Sequence, residues 1–177
     1  SANVDFSYAV RKVVDTRTAL QLDQGIGLEP RWSLGKLGNA LQLDGYDWAE
    51  APASTALDLT ASATVEFWFK PDTNTATWTP LVYKGNGNAS QRQLSVWLNN
   101  NGYLLLSTNT NGAEQSVATL AGSVQPGQWQ HVAAVVDRTA KRLKIYLNGV
   151  LAADGALANG AALSDANALL FGATLEN

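Results

Sequence analysis

The chain has no cysteine and no methionine, and a single histidine, His131, among its 177 residues. Without cysteine there is no disulfide framework, no thiolate nucleophile and no sulfur-ligated metal, and redox usage gives no compartment. One histidine cannot build a His/Cys zinc set, and no Ser-His-Asp arrangement can be argued around it. Charge is scarce as well. Asp, Glu, Lys and Arg make up 15% of the chain, against about a quarter in ordinary globular domains. The net charge is −3 and the basic residues are scattered. No basic stripe exists to track phosphates, so nucleic acid is not an expected partner. No charged-then-apolar leader opens the chain and no apolar run approaches about eighteen residues, so membrane insertion is not expected either. The missing methionine, initiator included, predicts a module excised from a longer protein.

What is present is hydrophobic content of 46%, enough for one globular domain over 1–177 with a two-layer core. The most informative stretch is Gln128 to Gly155. Gln130 to Asp137 is dense in valine and alanine, and Leu143, Ile145 and Leu147 alternate with Lys144, Tyr146 and Asn148. Asn148-Gly149 is the strongest short-range hairpin signal, because a type I′ turn needs positive φ at both central residues. Three consecutive antiparallel strands are predicted there.

The rest of the chain follows the same grammar. Val4, Phe6, Tyr8 and Val10 alternate with polar or small residues, and Val13-Val14 extends that first strand. Asp15 to Leu28 reads as a long connection. Ala40 to Leu43 is a strand between Gly38-Asn39 and Asp44-Gly45. Thr64 to Lys70 puts Val65, Phe67 and Phe69 on one face and Glu66, Trp68 and Lys70 on the other, and Pro71 ends the ladder. Asp72 to Pro80 reads as a polar loop holding Trp78, followed by a short strand over Leu81 to Lys84. Leu94, Val96 and Leu98 alternate with Gln93, Ser95 and Trp97. A strand over Tyr103 to Thr108 is followed by a polar loop, Asn109 to Gln115, and a strand over Ser116 to Leu120. Leu169 to Gly172 closes the series. About a dozen strands spaced by turn residues, with no helix longer than a turn, define an all-β, two-sheet antiparallel β-sandwich of jelly-roll type.

Five segments carry a family resemblance: Gly38 to Gly45 (GNALQLDG), Thr64 to Pro71 (TVEFWFKP), Gly127 to Asp137 (GQWQHVAAVVD), Leu143 to Val150 (LKIYLNGV) and Leu170-Phe171-Gly172. In this order and spacing the chain resembles the laminin-G-like jelly rolls of the concanavalin-A-like lectin/glucanase superfamily. The resemblance implies two packed antiparallel sheets, one of them concave. Such domains continue past the last glycine with one more alternating strand, so the closing strand is expected to be missing here, either cut off or supplied by another segment. A sheet edge would then be open to pairing.

Catalysis by related glucanases needs two or three carboxylates at alternate positions of one strand, because a glycosidic bond must be flanked by an acid and a nucleophile or base. The equivalent strand offers Glu66 alone, followed by Trp68 and Lys70, so no enzyme is expected. His131 occupies a position that the resemblance makes a framework histidine, packed and facing Glu66. Trp32, Trp68 and Trp129 fall in family segments and are expected to be structural. Asp44 and Asp47 sit in a Leu-Asp-Gly-Tyr-Asp turn. The resemblance implies a structural calcium beside this turn, since calcium takes hard oxygen ligands; an Asx-turn at Asp44 is the plainer reading.

The remaining lead is aromatic. Trp48, Trp78 and Trp97 lie in turns or on the polar side of a strand, and exposed aromatic faces stack on sugar rings. Trp78, Tyr83 and Trp97, with Arg92 and Gln93 as planar hydrogen-bonding groups, form the candidate carbohydrate site, walled by the loops Asp72 to Pro80 and Asn86 to Arg92. The expected function is a non-catalytic binding or adhesion module of a larger secreted or surface bacterial protein. Its expected partners are a glycan or protein ligand and the neighbouring domains of the parent chain. The alternative is a structural spacer or assembly domain with no small ligand. The bacterial extracellular or cell-surface location rests on the resemblance and on the low-charge composition.

Overall fold

The computed structural model describes residues 12–15, 31–45, 47–72 and 76–176. Its strands are β1 Lys12–Asp15, β2 Arg31–Leu34, β3 Asn39–Gln42, β4 Asp47–Ala51, β5 Ala63–Phe69, β6 Trp78–Gly85 and β7 Arg92–Asn99. They continue as β8 Leu104–Thr110, β9 Ala113–Ala118, β10 Gln130–Asp137, β11 Arg142–Leu147, β12 Val150–Ala156 and β13 Leu169–Phe171. One sheet has seven strands in the order β1-β4-β13-β6-β7-β8-β9, a second has four in the order β12-β11-β10-β5, and β2 pairs with β3 as a separate hairpin. Every strand pair is antiparallel. The expected strand over Val4 to Val10 lies outside the described residues; its extension through Val13 and Val14 is β1, paired with β4.

Alternation explains the layering. Val132, Ala134 and Val136 of β10 and Leu143 and Ile145 of β11 are fully buried on one face of the four-stranded sheet. They meet Val82, Leu94, Val96, Leu98, Leu104 and Leu106 from the seven-stranded sheet in one core. Burying each such aliphatic side chain is worth about 1.5–3 kcal/mol, so this face fixes the register of both sheets. The sandwich closes tightly along one side, where a Cβ at Gly155 of β12 would lie 3.2 Å from Val117 of β9.

The turn at Asn148 (φ 52) and Gly149 (φ 81) has the backbone of a type I′ hairpin. A second turn of the same kind joins β8 to β9 at Asn111 (φ 50) and Gly112 (φ 79). The segment from Asn109 to Gln115, expected as a loop, is therefore mostly ladder, with Asn109 opposite Glu114 and Thr110 opposite Ala113. Likewise β6 begins at Trp78 rather than Leu81, so Trp78 belongs to a strand. Trp32, expected in the framework, stands 61% exposed on the β2–β3 hairpin.

At one end of the sandwich the interior is polar. Lys84 is buried, and its ammonium donates to Asp165 Oδ1 and to the Asn167 carbonyl, both at 2.6 Å. Arg138 reaches Thr108, Thr110 and the carbonyls of Asn109 and Gly160 at 3.0–3.2 Å. These bonds tie the long connection between β12 and β13 to the large sheet. Removing the carboxylate in Asp165→Ala leaves a buried ammonium without its counter-charge. The variant should lose about 3–5 kcal/mol of stability, read from urea denaturation midpoints.

Candidate functional site: the outer face of the large sheet

The face of the seven-stranded sheet turned away from the core carries a second cluster. Tyr83, Trp97 and Leu170 are its buried members, with Trp48, Leu105, Ala168 and Ala173 packed around them. The Tyr83 and Trp97 rings meet edge to face at 6.1 Å, and the indole N–H of Trp97 donates to Ser95 Oγ at 2.8 Å.

Two register shifts between β6 and β7 decide which side chains join this face. The first falls between Pro80 and Val82. Leu81 is the extra residue, so Pro80 stands opposite Trp97 while Val82 stands opposite Val96. Trp78 and Pro80 are thereby carried to the outer side and Val82 to the core, although strict alternation would give all three one face. A bulge also tolerates the proline, which has no N–H for the ladder. The second shift falls between Lys84 and Gly85, which pair with Leu94 and Arg92. It places Arg92 on the Trp97 side and turns Gln93 away.

The result is an open groove of about 400 Å³ lined by Trp78, Ala89, Arg92, Trp97, Leu105, Glu114, Thr174 and Glu176. That volume lies in the range of about 300–1,000 Å³ common for small-molecule sites. Trp78 is 39% exposed, and its ring is braced edge-on by Tyr103 at 5.6 Å. Trp97, at 6%, is floor rather than platform. Arg92 lies over the Trp97 ring at 5.0 Å. Its Nε and Nη2 donate to the two oxygens of Glu176, both at 2.6 Å, and its Nη1 donates to Glu114 at 2.9 Å and to Ser107 Oγ at 3.2 Å. Burial alone would lower the guanidinium pKa, but the bonds to Glu176 and the charges of Glu176 and Glu114 outweigh it and hold it above the ordinary value. Burial, and then the charge of Glu176, push the Tyr83 phenol up to about 12.

Of the five candidate ligand-binding residues, Trp78, Arg92 and Trp97 line the groove. Tyr83 is wholly buried beneath it, with its hydroxyl accepting from the Gly87 N–H at 3.1 Å. Gln93 is buried and bonded elsewhere: it accepts from Leu59 N–H at 2.9 Å, donates to the Leu163 carbonyl at 2.9 Å and donates to Asp58. The loop Asn86 to Arg92 supplies one wall through Ala89. The other wall comes from residues after Gly172, which sequence reasoning did not include. Glu114 and Glu176 were also missed; Glu114 lies in a strand that reads as a loop and Glu176 follows the last strand, so neither carries a periodic signal and only the paired arginine reveals them.

The other candidate residues lie apart from the groove. Glu66 and His131 are on the four-stranded sheet, 3.9 Å apart, and His131 stands directly across from Trp68, ring centroids 5.2 Å apart. Asp44 is in the turn after β3, and Asp47 opens β4 opposite Asp15 of β1. Among the described residues no three carboxylate or imidazole side chains converge to hold a metal ion.

The chain is thus a two-sheet antiparallel sandwich with a partly aromatic groove on the outer face of its larger sheet. The chain belongs to the laminin-G-like family of the concanavalin A-like lectin/glucanases superfamily, whose family model matches residues 43–177. No curated protein sequence matches it. Solved structures with the same fold include the binding domain of Paraclostridial mosquitocidal protein 1 (TM-score 0.66, 13% identity, 80% of this chain and 37% of that one). Our chain thus spans little more than a third of that protein's length. Domain 4 of AbnA, an extracellular GH43 arabinanase of Geobacillus stearothermophilus solved with arabinotriose, superposes at TM-score 0.61 with 21% identity over 91% of this chain and 72% of that one. The CBM40 of a Ruminococcus gnavus sialidase, bound to α2,3-sialyllactose, superposes at 0.58 with 17% identity over 72% and 77%.

Gln93 also links the site's frame to pH. Hydrogen bonds from Ser164 and then from Gln93 hold the Asp58 carboxyl below its ordinary 3.8. A depressed folded-state value stabilises the fold above the ordinary carboxylate range, and that contribution is lost as pH falls below it. Gln93→Ala should cost about 1–3 kcal/mol at neutral pH, because Leu59 N–H and the Leu163 carbonyl also lose their partner. The deficit should narrow as the pH falls below the ordinary carboxylate value of 3.8. Thermal melts against pH check this, and a deficit that stays constant would reject the linkage.

Proposed function

We propose that the chain is a non-catalytic glycan-binding module of a larger secreted or surface bacterial protein, with the groove under Trp78 as its site. The observation that carries this reading is the half-exposed indole of Trp78 beside an otherwise buried aromatic floor. Indole faces are large, rigid and apolar, which suits the C–H face of a sugar ring, and the groove's polar groups suit its hydroxyls. The arabinotriose and sialyllactose bound by two proteins of the same fold support a sugar ligand.

The non-catalytic part rests on the carboxylates. A glycosidase needs one carboxyl holding a proton and a second free to attack or to activate water. Both carboxylates that line the groove are bonded to Arg92 instead. Glu66 lies on the other sheet beside His131.

Trp78→Ala should weaken glycan binding at least tenfold, about 1.4 kcal/mol, with little change in melting temperature. A glycan array followed by titration of the strongest signal tests it. Equal binding by wild type and variant would remove the groove from the reading, and silence across the array for both would favour the spacer or assembly role. Trp97→Ala is the poorer probe, since emptying that buried position costs about 3–5 kcal/mol.

Calcium at the Asp44–Asp47 turn belongs to the same proposal, on the strength of two carboxylates that directly flank the Gly45-Tyr46 pair. Calcium should raise the melting temperature and a chelator should reverse the rise. Identical melts in both conditions would remove the metal.

A further inference from the structure

We propose that Arg92 selects sugars that carry a carboxylate, and that Glu176 occupies the carboxylate position until such a sugar displaces it. The inference rests on the glycan reading and adds the chemical class of the ligand. Its basis is the arrangement around the guanidinium. The Nη1 side is committed to the framework: it bonds Glu114 and Ser107, and Ser107 Oγ itself donates to Glu114 at 2.9 Å. The indole of Trp97 supports the guanidinium at 5.0 Å. These contacts leave the opposite edge, Nε and Nη2, to Glu176, which lines the groove. A planar fork of two parallel N–H groups matches a carboxylate in bidentate geometry.

That edge is met by the two oxygens of Glu176. Glu176 comes from the segment after β13, not from either sheet. Among the described residues, the backbone of this segment bonds through Gly172 N–H to the Leu81 carbonyl at 3.3 Å and through Glu176 N–H to the hydroxyl of Thr174 in the same segment, and the Tyr83 phenol also faces the Glu176 carboxylate. The Glu176 side chain is 18% exposed, so the carboxylate is not sealed from water.

Charge decides the ligand class. Arg92 already carries two carboxylates, so a neutral sugar gains nothing from it and would have to lie beside a filled fork. A carboxylate-bearing sugar replaces Glu176 one for one. The guanidinium keeps two carboxylate partners, the released Glu176 is rehydrated, and the sugar ring is left on the Trp78 side of the groove.

The test is titration of wild type, Glu176→Gln and Arg92→Lys with α2,3-sialyllactose, its methyl ester, trigalacturonate and neutral lactose. In Glu176→Gln the internal competitor loses its charge. Its affinity for at least one of the two acidic sugars should rise about tenfold, with lactose and the methyl ester unchanged. Arg92→Lys should lose the acidic sugar, and circular dichroism reports whether it folds; Glu176→Gln keeps the test decisive if it does not. No gain in Glu176→Gln for either acidic sugar, or a gain for sialyllactose that its methyl ester matches, overturns this inference and leaves the glycan reading standing. Lack of binding by every sugar to wild type and to Glu176→Gln overturns both.

Discussion

The pairing of β6 with β7 sets the character of the whole outer face. In an antiparallel ladder the side chain's side is fixed by counting, so an extra residue reverses every position beyond it. The ladder is interrupted twice, at Leu81 and next to Gly85. The middle stretch stays in phase with the core, with Val82, Leu94 and Val96 inside. The flanking residues Trp78 and Arg92 are switched outward. An uninterrupted ladder would send Trp78 toward the same interior as Val82 and give the outer face Gln93 instead of Arg92. Gly85 sits at the second shift for a packing reason. A Cβ there would lie 2.9 Å from Arg92 Cα, and from the Gln91 carbonyl oxygen, closer than real contacts allow.

How much of this was legible follows from the same count. The fold was readable because the buried face of β10, β11 and the middle of β7 obeys period two, and because Asn148-Gly149 names its own turn. The β8–β9 hairpin carries the same Asn-Gly signal at Asn111-Gly112 but reads as a loop, because Thr108, Asn109 and Thr110 are polar. They are nevertheless buried. Thr108 donates to the Gln93 carbonyl at 2.6 Å, Asn109 donates to the Arg92 carbonyl at 2.8 Å, and Arg138 caps both threonines. A strand whose burial is satisfied by hydrogen bonds rather than hydrocarbon has no hydrophobic period to detect. The site was half legible. Trp78, Trp97 and Arg92 could be chosen by residue type. The bulges that keep Arg92 and reject Gln93, and the long-range partners Glu114 and Glu176, leave no local trace.

The scarcity of charge acquires a different meaning in three dimensions. Several of the few charged residues are concentrated at two places. One is the polar end of the sandwich, where Lys84 meets Asp165 and Asp58 is held by Ser164 and Gln93. The other is the groove, where Arg92 meets Glu114 and Glu176. Gln93 and Arg92 are neighbours in sequence and serve one place each. The bulge between them therefore couples the packing of the loop before β13 to the aim of the guanidinium. Disturbing the polar end is expected to reach the groove through two residues of backbone, with no conformational switch needed.

An arginine already satisfied by the protein's own carboxylates is held in its binding geometry before any ligand arrives. Glu114, Ser107 and the Trp97 ring fix the plane of the guanidinium without Glu176, so the rotamer entropy of the arginine is spent on folding rather than on association. An internal carboxylate competes at high local concentration, and the observed affinity falls by the fraction of molecules in which the fork is free. On the proposed reading, discrimination then comes from the competition itself. A neutral sugar meets a filled fork, and only a ligand that brings its own carboxylate can exchange without leaving a buried guanidinium edge unpaired. On the proposed reading, the pair Arg92–Glu176 makes the groove selective for the chemical equal of the group it already holds.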